Sequence, residues 1–476
     1  MKRALLAALL AATAAVSTAV AGDAQDVDPV LQTIRQLRAQ GDVVEAARQA
    51  EALVASHPDH LEAHVAFQES QTALGRRDDI VRTYRDRAQA DGASADDRYL
   101  YARLLAGPAA VTEFRAALAV DPDHFWSLCG LGAELLEQGR DRQAVEPLEH
   151  AARLDAASGV PVNLLGRAAE AAHDRRGAEE LYRRAFELQP DLVIARVNLG
   201  VLLVGVQRRD EALKVLDEAV RRAPRLPAAL IARGTALMGA GKAVDAAKDF
   251  KAATEVNAKD VVALDLLANA YLSLERFDEA EDALLKALAL APKHAPTRVF
   301  VAYLQTSRGD LDAARASVDE ALRLDADLPE ALYMSGLVFE RGGNAKKAES
   351  EYKRAQKAAP ENAVYVRALA LLYESQGRWR DAVREYQRVV KLTDSAPSSL
   401  YDLALGYWGY GKHDRAADAL ETLLSIDGDH LDAWLNLGVL RHRHLRDKKG
   451  AIAAYREYLR RGGKDNRVQG WLRELE

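Results

Sequence analysis

The residues of this chain that come nearest to a chemical motif are His57, His60 and His64, because His60 and His64 stand four apart and would share one face of a helix, as zinc ligands do. No further ligand completes the set. His60 also has counterparts at His124, His294 and His430, each at the same point of a 34-residue period, which assigns it a turn role at the entry to a helix. His442 and His444 lack partners at ligand spacing and read as solvated. Cys129 is the only cysteine, which excludes an intrachain disulfide; it reads as a small apolar helix residue whose unpaired thiol could also join a partner. A glycine-rich phosphate loop, a nucleophile elbow and a His-Glu-x-x-His pair are all missing from the sequence, and the carboxylates alternate with Lys and Arg as surface charges do. The expectation is no catalytic residue, no metal and no cofactor.

What orders the chain is the period itself. From Phe125 to His430 nine units of 34 residues run without insertion or deletion. Column 8 is Gly or Ala throughout, from Gly132 to Ala404. Column 20 is alanine in every unit, from Ala144 to Ala416. Column 27 is alanine from Ala151 to Ala355 and then Val389 and Leu423. Small residues let two helices approach to about 8–10 Å, so column 8 facing column 20 predicts a tight helical hairpin. Larger residues at columns 4, 7, 11, 24 and 30, such as Leu264, Leu267, Tyr271, Leu284 and Leu290, are expected to fill the space between layers. Gly at column 15 marks the turn within a hairpin, and Pro190, Pro224, Pro292 and Pro360 stop the second helix.

These columns resemble the tetratricopeptide repeat family, whose pattern runs W-x2-L-G-x2-Y, then A-x3-F, then P. Trp434, Leu437 and Gly438 reproduce its first half; Ala178, Tyr182 and Pro190 reproduce its second. The resemblance implies an all-α, right-handed α-solenoid (superhelix) of about thirteen helix hairpins with a C-terminal capping helix, and a binding scaffold in place of an enzyme. It also implies that columns 2, 5, 9 and 12 of the first helices line a concave groove.

Around the regular array the register loosens. Val27–His60 and Leu61–Ser94 fit two units, and Ala95–His124 is four residues short around Gly107 and Pro108, where a bend or subdomain boundary is expected. Val468, Trp471, Leu472 and Leu475 repeat at helical spacing in the last segment. The division expected is a leader at 1–21, loosely repeated units at 22–124, a regular array at 125–463 and a cap at 464–476. Lys2 and Arg3 followed by an uncharged, alanine-rich run ending in Ala19-Val20-Ala21 have the form of a secretory leader cleaved after Ala21. A bacterial periplasm is the natural destination. The formal charge of -6 is spread with both signs interspersed, which offers no basic stripe for nucleic acid, and no later stretch is apolar enough to span a membrane.

The groove columns are apolar through the middle of the array. Val197, Val201, Ile231, Val299, Tyr303, Tyr333, Leu337, Tyr401 and Trp408 form the expected partner-binding surface. The Lys and Asn with which some relatives clamp a terminal carboxylate are absent, and their asparagine ladder survives only as Asn198 and Asn436. Trp379, Trp434 and Trp471 are required by packing; Trp126 and Trp408 are not, and Trp408 is the leading anchor candidate. The sequence thus reads as a non-catalytic scaffold for envelope proteins or their peptide and helical segments, in a machine such as a motility or secretion apparatus. A polysaccharide-export protein using its aromatic groove on glycans is the alternative. A hydrolase would require a catalytic domain for which the register leaves no room.

Overall fold

The computed structural model describes residues 24–476, so the expected leader at 1–21 lies outside the described residues. Among the described residues there are 27 helices and no strand. They form two compact units, one ending at Arg276 and one spanning Phe277–Glu476.

The first unit opens with α1 (Ala24–Gln40), α2 (Val43–Ser56), α3 (Leu61–Ala73), α4 (Arg77–Ala88), α5 (Ala95–Ala102) and α6 (Pro108–Val120). It continues through α7 (Phe125–Glu137), α8 (Asp141–Leu154), α9 (Gly159–Ala171), α10 (Arg175–Leu188), α11 (Val193–Gly205) and α12 (Arg209–Arg222), and ends with α13 (Pro227–Gly239), α14 (Ala243–Val256) and α15 (Val261–Ser273). The second unit holds α16 (Phe277–Leu290), α17 (Ala295–Ser307), α18 (Leu311–Leu324), α19 (Pro329–Arg341), α20 (Ala345–Ala358), α21 (Ala363–Ser375) and α22 (Trp379–Leu392). It closes with α23 (Pro397–Gly409), α24 (His413–Ile426), α25 (Leu431–Arg443), α26 (Lys448–Arg460) and α27 (Asn466–Leu475).

Through the regular array each first helix occupies columns 1–13 and each second helix columns 17–30. Column 15 takes the left-handed conformation that reverses the chain, as at Gly139, Gly241 and Gly309. His173, Gln207 and Glu275 adopt it without being glycine, at φ of 63°, 65° and 56°. Three of the column-34 histidines cap the next first helix: the ring Nδ1 accepts from Ala63 N at 3.3 Å in His60, from Ser127 N at 3.1 Å in His124 and from Ala433 N at 3.2 Å in His430, while His294 Nδ1 meets the Thr297 hydroxyl at 2.8 Å. His64 is buried, its ring nitrogens engaged by the Tyr84 hydroxyl at 2.6 Å and the Pro58 carbonyl at 2.7 Å.

The small columns are buried as expected, Ala144, Ala178, Ala314 and Ala382 among them. Their pairing differs from the sequence reading. The glycine at column 8 lies under the large residue at column 24 of the same hairpin, so an added Cβ would stand 2.4 Å from Leu148 at Gly132, 2.6 Å from Tyr182 at Gly166 and 2.6 Å from Phe250 at Gly234. Column 24 therefore fills its own hairpin before it fills the gap between layers. Column 30 also departs from expectation, since Leu290 is 43% exposed and Val256 and Ile426 are exposed with it. At the same column Leu188 and Leu324 are half-buried against the core, so only part of the column is exposed. At the C-terminus α27 buries Val468 completely and sets Trp471 against Tyr455, ring centres 5.5 Å apart.

The short third hairpin is accommodated chiefly in its first helix. α5 has 8 residues where the regular first helices have 13. The chain then turns at Arg103 and Leu104, where the N–H groups of Leu104 and Leu105 donate to the Tyr101 and Ala102 carbonyls at 3.0 Å, and runs irregularly to Gly107. Arg77 donates to the Leu104 carbonyl at 2.6 Å and the Gly107 N–H donates to Glu134 at 2.7 Å, which holds this loop at both ends.

Candidate partner-binding surfaces

Three of the expected groove residues lie in the first unit and six in the second. In the first, Val197 and Ile231 are buried and offer no surface; Val201 is half-buried. The reason is the contact between successive first helices. Asn198 on α11 donates to Asn163 on α9 at 2.8 Å within a buried layer, so columns 5 and 6 are consumed there by neighbour-to-neighbour packing.

In the second unit Val299 and Leu337 are half-buried against one apolar cluster built on Ala302, Val318 and Met334. Tyr333, Tyr401 and Trp408 pack against another, built on Tyr373, Tyr386 and Leu403. Tyr333 sits 5.3 Å from the Tyr365 ring and 5.8 Å from Tyr352, and burial, aided by Tyr303 and Glu340, raises its hydroxyl pKa. Tyr303 is the most open, at 37% exposed. Tyr401 lies over His430 at 5.1 Å and its hydroxyl accepts from Asn436 at 2.9 Å, the same column-6-to-column-5 bond that Asn198 makes. The two ladder asparagines thus serve the protein's own stacking. Trp408 meets His444 edge-on at 5.8 Å, and His444 stacks on His413 at 4.1 Å. His442, expected to be solvated, has its side chain only 9% exposed, between Tyr455 and Glu474. What the six can do chemically is present partly covered aromatic faces at Tyr303, Tyr333, Tyr401 and Trp408, three of them with hydroxyl edges, beside the aliphatic Val299 and Leu337, which suits association and offers no acid–base pair.

The sequence reading missed a cavity of about 340 Å³ in the first unit. Its walls come from first helices α1, α3, α5, α7 and α9, from the loop after α5 and from Phe114 of α6; Leu31, Val65, Leu105, Trp126 and Leu164 make it apolar. Cys129 lies in the wall, buried, and desolvation pushes its thiol well above the ordinary range. Arg35, Arg38 and Arg103 edge it together with Glu62, Glu69 and Glu134, so charges of the two signs balance there. The signals for it were the four-residue deletion and a tryptophan at 126 that no repeat column requires.

Family models described as tetratricopeptide repeat match residues 163–227, 261–294, 302–363, 366–398 and 401–466, more than half of the chain. This chain belongs to the tetratricopeptide repeat family. Its members are in general non-catalytic scaffolds for protein–protein interaction. Among its relatives is anaphase-promoting complex subunit 3 of Schizosaccharomyces pombe, 22% identical over 187 residues that cover 39% of this chain and 28% of that protein. Cellulose synthase operon protein C of Pseudomonas fluorescens is 26% identical over 318 residues, covering 64% of this chain and 23% of that protein. The chain therefore spans about a quarter of the length of these relatives. A solved structure of the APC/C hetero-tetramer Cut9–Hcn1 is 15% identical, with a TM-score of 0.41 and coverage of 99% of this chain and 98% of that one. No helix among the described residues is long and apolar enough to cross a membrane.

Proposed function

We propose that this tetratricopeptide repeat protein is exported to a bacterial periplasm, loses residues 1–21, and holds together a multiprotein machine of the cell envelope such as a motility or secretion apparatus. The observation that carries the binding role is the set of partly covered aromatic side chains on first helices of the second unit, Tyr303 on α17, Tyr333 on α19, and Tyr401 and Trp408 on α23. Such rings supply large contact area at low entropic cost. The leader-like run supports the location. A photoreactive residue at Tyr303 or Trp408 in intact cells should crosslink envelope proteins, whereas one at the exposed Glu421 of the second helix α24 should not. Adducts confined to Glu421 would overturn the groove assignment, and a mature protein that retains residues 1–21 would overturn the export reading.

A second reading is a role in polysaccharide export. It is supported by the likeness to cellulose synthase operon protein C and by the exposure of Tyr303 and Tyr410, which could serve as sugar platforms. Retention on purified envelope polysaccharide, lost on Tyr303→Ala, with no protein adducts in cells, would favour it over the scaffold.

A further inference from the structure

We propose that the cavity beside α5 binds the hydrocarbon chain of an uncharged amphiphile, with a hydroxyl at the head of that chain bridging Arg35 and Glu62. This is a small-molecule site in the first unit, and it goes beyond the scaffold reading without resting on it.

The interior selects the chain. Leu31, Val65, Leu105, Trp126 and Leu164 line it, Cys129 contributes a thiol that desolvation keeps neutral, and no buried side-chain nitrogen or oxygen among the lining residues lacks a hydrogen-bond partner. A polar group carried inside would lose its water and gain no partner, a cost that falls most heavily on a charge and that hydrocarbon escapes. Size follows from volume. An apolar cavity of about 150 Å³ stays dry and admits benzene, so one of about 340 Å³ admits roughly twice as much, about a dozen non-hydrogen atoms. The walls are also fixed in place. Phe114 packs so closely over Gly130 that a Cβ there would meet the ring at 2.5 Å, and Arg103 donates to Gln68 at 2.7 Å while Gln68 donates to the Leu100 carbonyl at 2.8 Å. A preformed apolar space spares the ordering cost of binding.

The rim selects the head. Of its six charged groups, four are committed within the protein: Arg38 and Arg103 both donate to Glu69, and Glu134 accepts from the Gly107 N–H and from Gln138. The other two are Arg35 and Glu62, whose side chains are 41% and 24% exposed and whose nearest nitrogen and oxygen stand 4.0 Å apart, too far for a hydrogen bond. A single oxygen can lie about 2.8 Å from each. A guanidinium only donates and a carboxylate only accepts, whereas a hydroxyl does both, so one hydroxyl accepts from Arg35 and donates to Glu62. A carboxylate head would be repelled by Glu62 and an ammonium head by Arg35. The balance of charge at the mouth thus favours a neutral head over either sign.

The test uses the full chain and Trp126, the only tryptophan of the first unit, as the reporter. A bromine atom quenches indole fluorescence on contact, so the probes are 10-bromodecan-1-ol, 10-bromodecanoate and (10-bromodecyl)trimethylammonium, each below its micelle concentration. The alcohol should quench saturably, and each charged probe should bind at least about tenfold more weakly. Trp126→Phe should remove the saturable quenching, and Ala133→Phe, which fills the cavity, should abolish binding of the alcohol. Glu62→Arg, altered only at the rim, should make the carboxylate the tightest of the three probes. Circular dichroism verifies that each variant is folded; if Ala133→Phe is not, Glu62→Arg decides. No saturable quenching, full quenching that persists in Trp126→Phe, a charged probe binding as tightly as the alcohol, or an unchanged ranking in Glu62→Arg would overturn the proposal. The scaffold reading is judged separately, by crosslinks at Tyr303 and Trp408.

Discussion

Replacing Gly336 by alanine tests the packing rule on which every hairpin is built. Gly336 on α19 faces Tyr352 on α20, and an added Cβ would lie 2.4 Å from two atoms of the ring, against about 3.5–4.0 Å for carbon atoms in ordinary contact. The ring has little freedom to withdraw. It is fully buried, its hydroxyl donates to Glu340 at 2.6 Å, and Tyr333 lies 5.8 Å away on another side. Overpacking of this kind costs about 1–3 kcal/mol. The exchange also removes a glycine from a helix interior, which contributes about 1 kcal/mol in the opposite direction. The net expectation is a destabilisation of about 1–2 kcal/mol, since an approach this close belongs to the upper part of the overpacking range. Tyr352→Leu alone should also destabilise, by about 1–3 kcal/mol, through the void it leaves and the loss of the bond to Glu340. The two together restore a pair the sequence already uses at the same columns, Ala404 with Leu420. The double variant should therefore recover at least about 1 kcal/mol relative to the sum of the single ones. Repeat arrays unfold in segments, so the readout is native-state hydrogen exchange of peptides spanning residues 329–358, with urea unfolding alongside. A neutral or stabilising Gly336→Ala, or additivity of the two changes to within about 0.5 kcal/mol, would show that the close approach is not what constrains these columns.

Three further outcomes are expected. Replacing His173, Gln207 or Glu275 by glycine should raise stability by about 0.5–1 kcal/mol each, because their left-handed turns strain any residue with a Cβ; a loss of stability in thermal unfolding would refute this. At Glu349 burial opposes the charge, but Lys353, Arg378 and Tyr373 outweigh it and hold the carboxyl at about 2 instead of the ordinary 4.5. The folded pKa is depressed, so the stabilisation is complete above 4.5 and is lost as pH falls toward 2. Hydrogen-exchange protection of α20–α22 should decline through that window, and Glu349→Gln should flatten the decline. Finally, the buried Cys129 thiol, held protonated by desolvation, should react with a water-soluble disulfide reagent far more slowly than an exposed cysteine, so labelling of the native chain as fast as that of the urea-unfolded chain would contradict its burial.

Local order was highly legible. The helix limits fall at the same columns from Phe125 to Ile426, because column 15 turns, column-34 caps and the small columns act within one hairpin or between immediate neighbours. The caps are a case in point: His60, His124 and His430 could be assigned to helix entry from period alone, and the bond each makes spans three residues. Which groove residue stays accessible was not legible in the same way. Val197, Ile231 and Val299 are interchangeable in a hydrophobic pattern, yet the first two are buried and the third is half-buried. Periodicity shows that a side chain faces another helix and says nothing of how closely the following first helix covers it.

The amino-acid order by itself determined the hairpin, its length, the burial of its small residues and the family, since each depends on residues less than one repeat apart. Only the tertiary structure decided that column 8 lies beneath column 24, that column 30 is exposed at Leu290 and Ile426 but half-buried at Leu188 and Leu324, that the chain divides into compact units after Arg276, and that a deletion around Gly107 becomes a supported cavity. Those outcomes depend on distances among several helices at once. Side chains from α1, α3, α7 and α9 meet around that cavity although their sequence positions differ by as much as 133, from Leu31 to Leu164, and no short-range pattern carries that information.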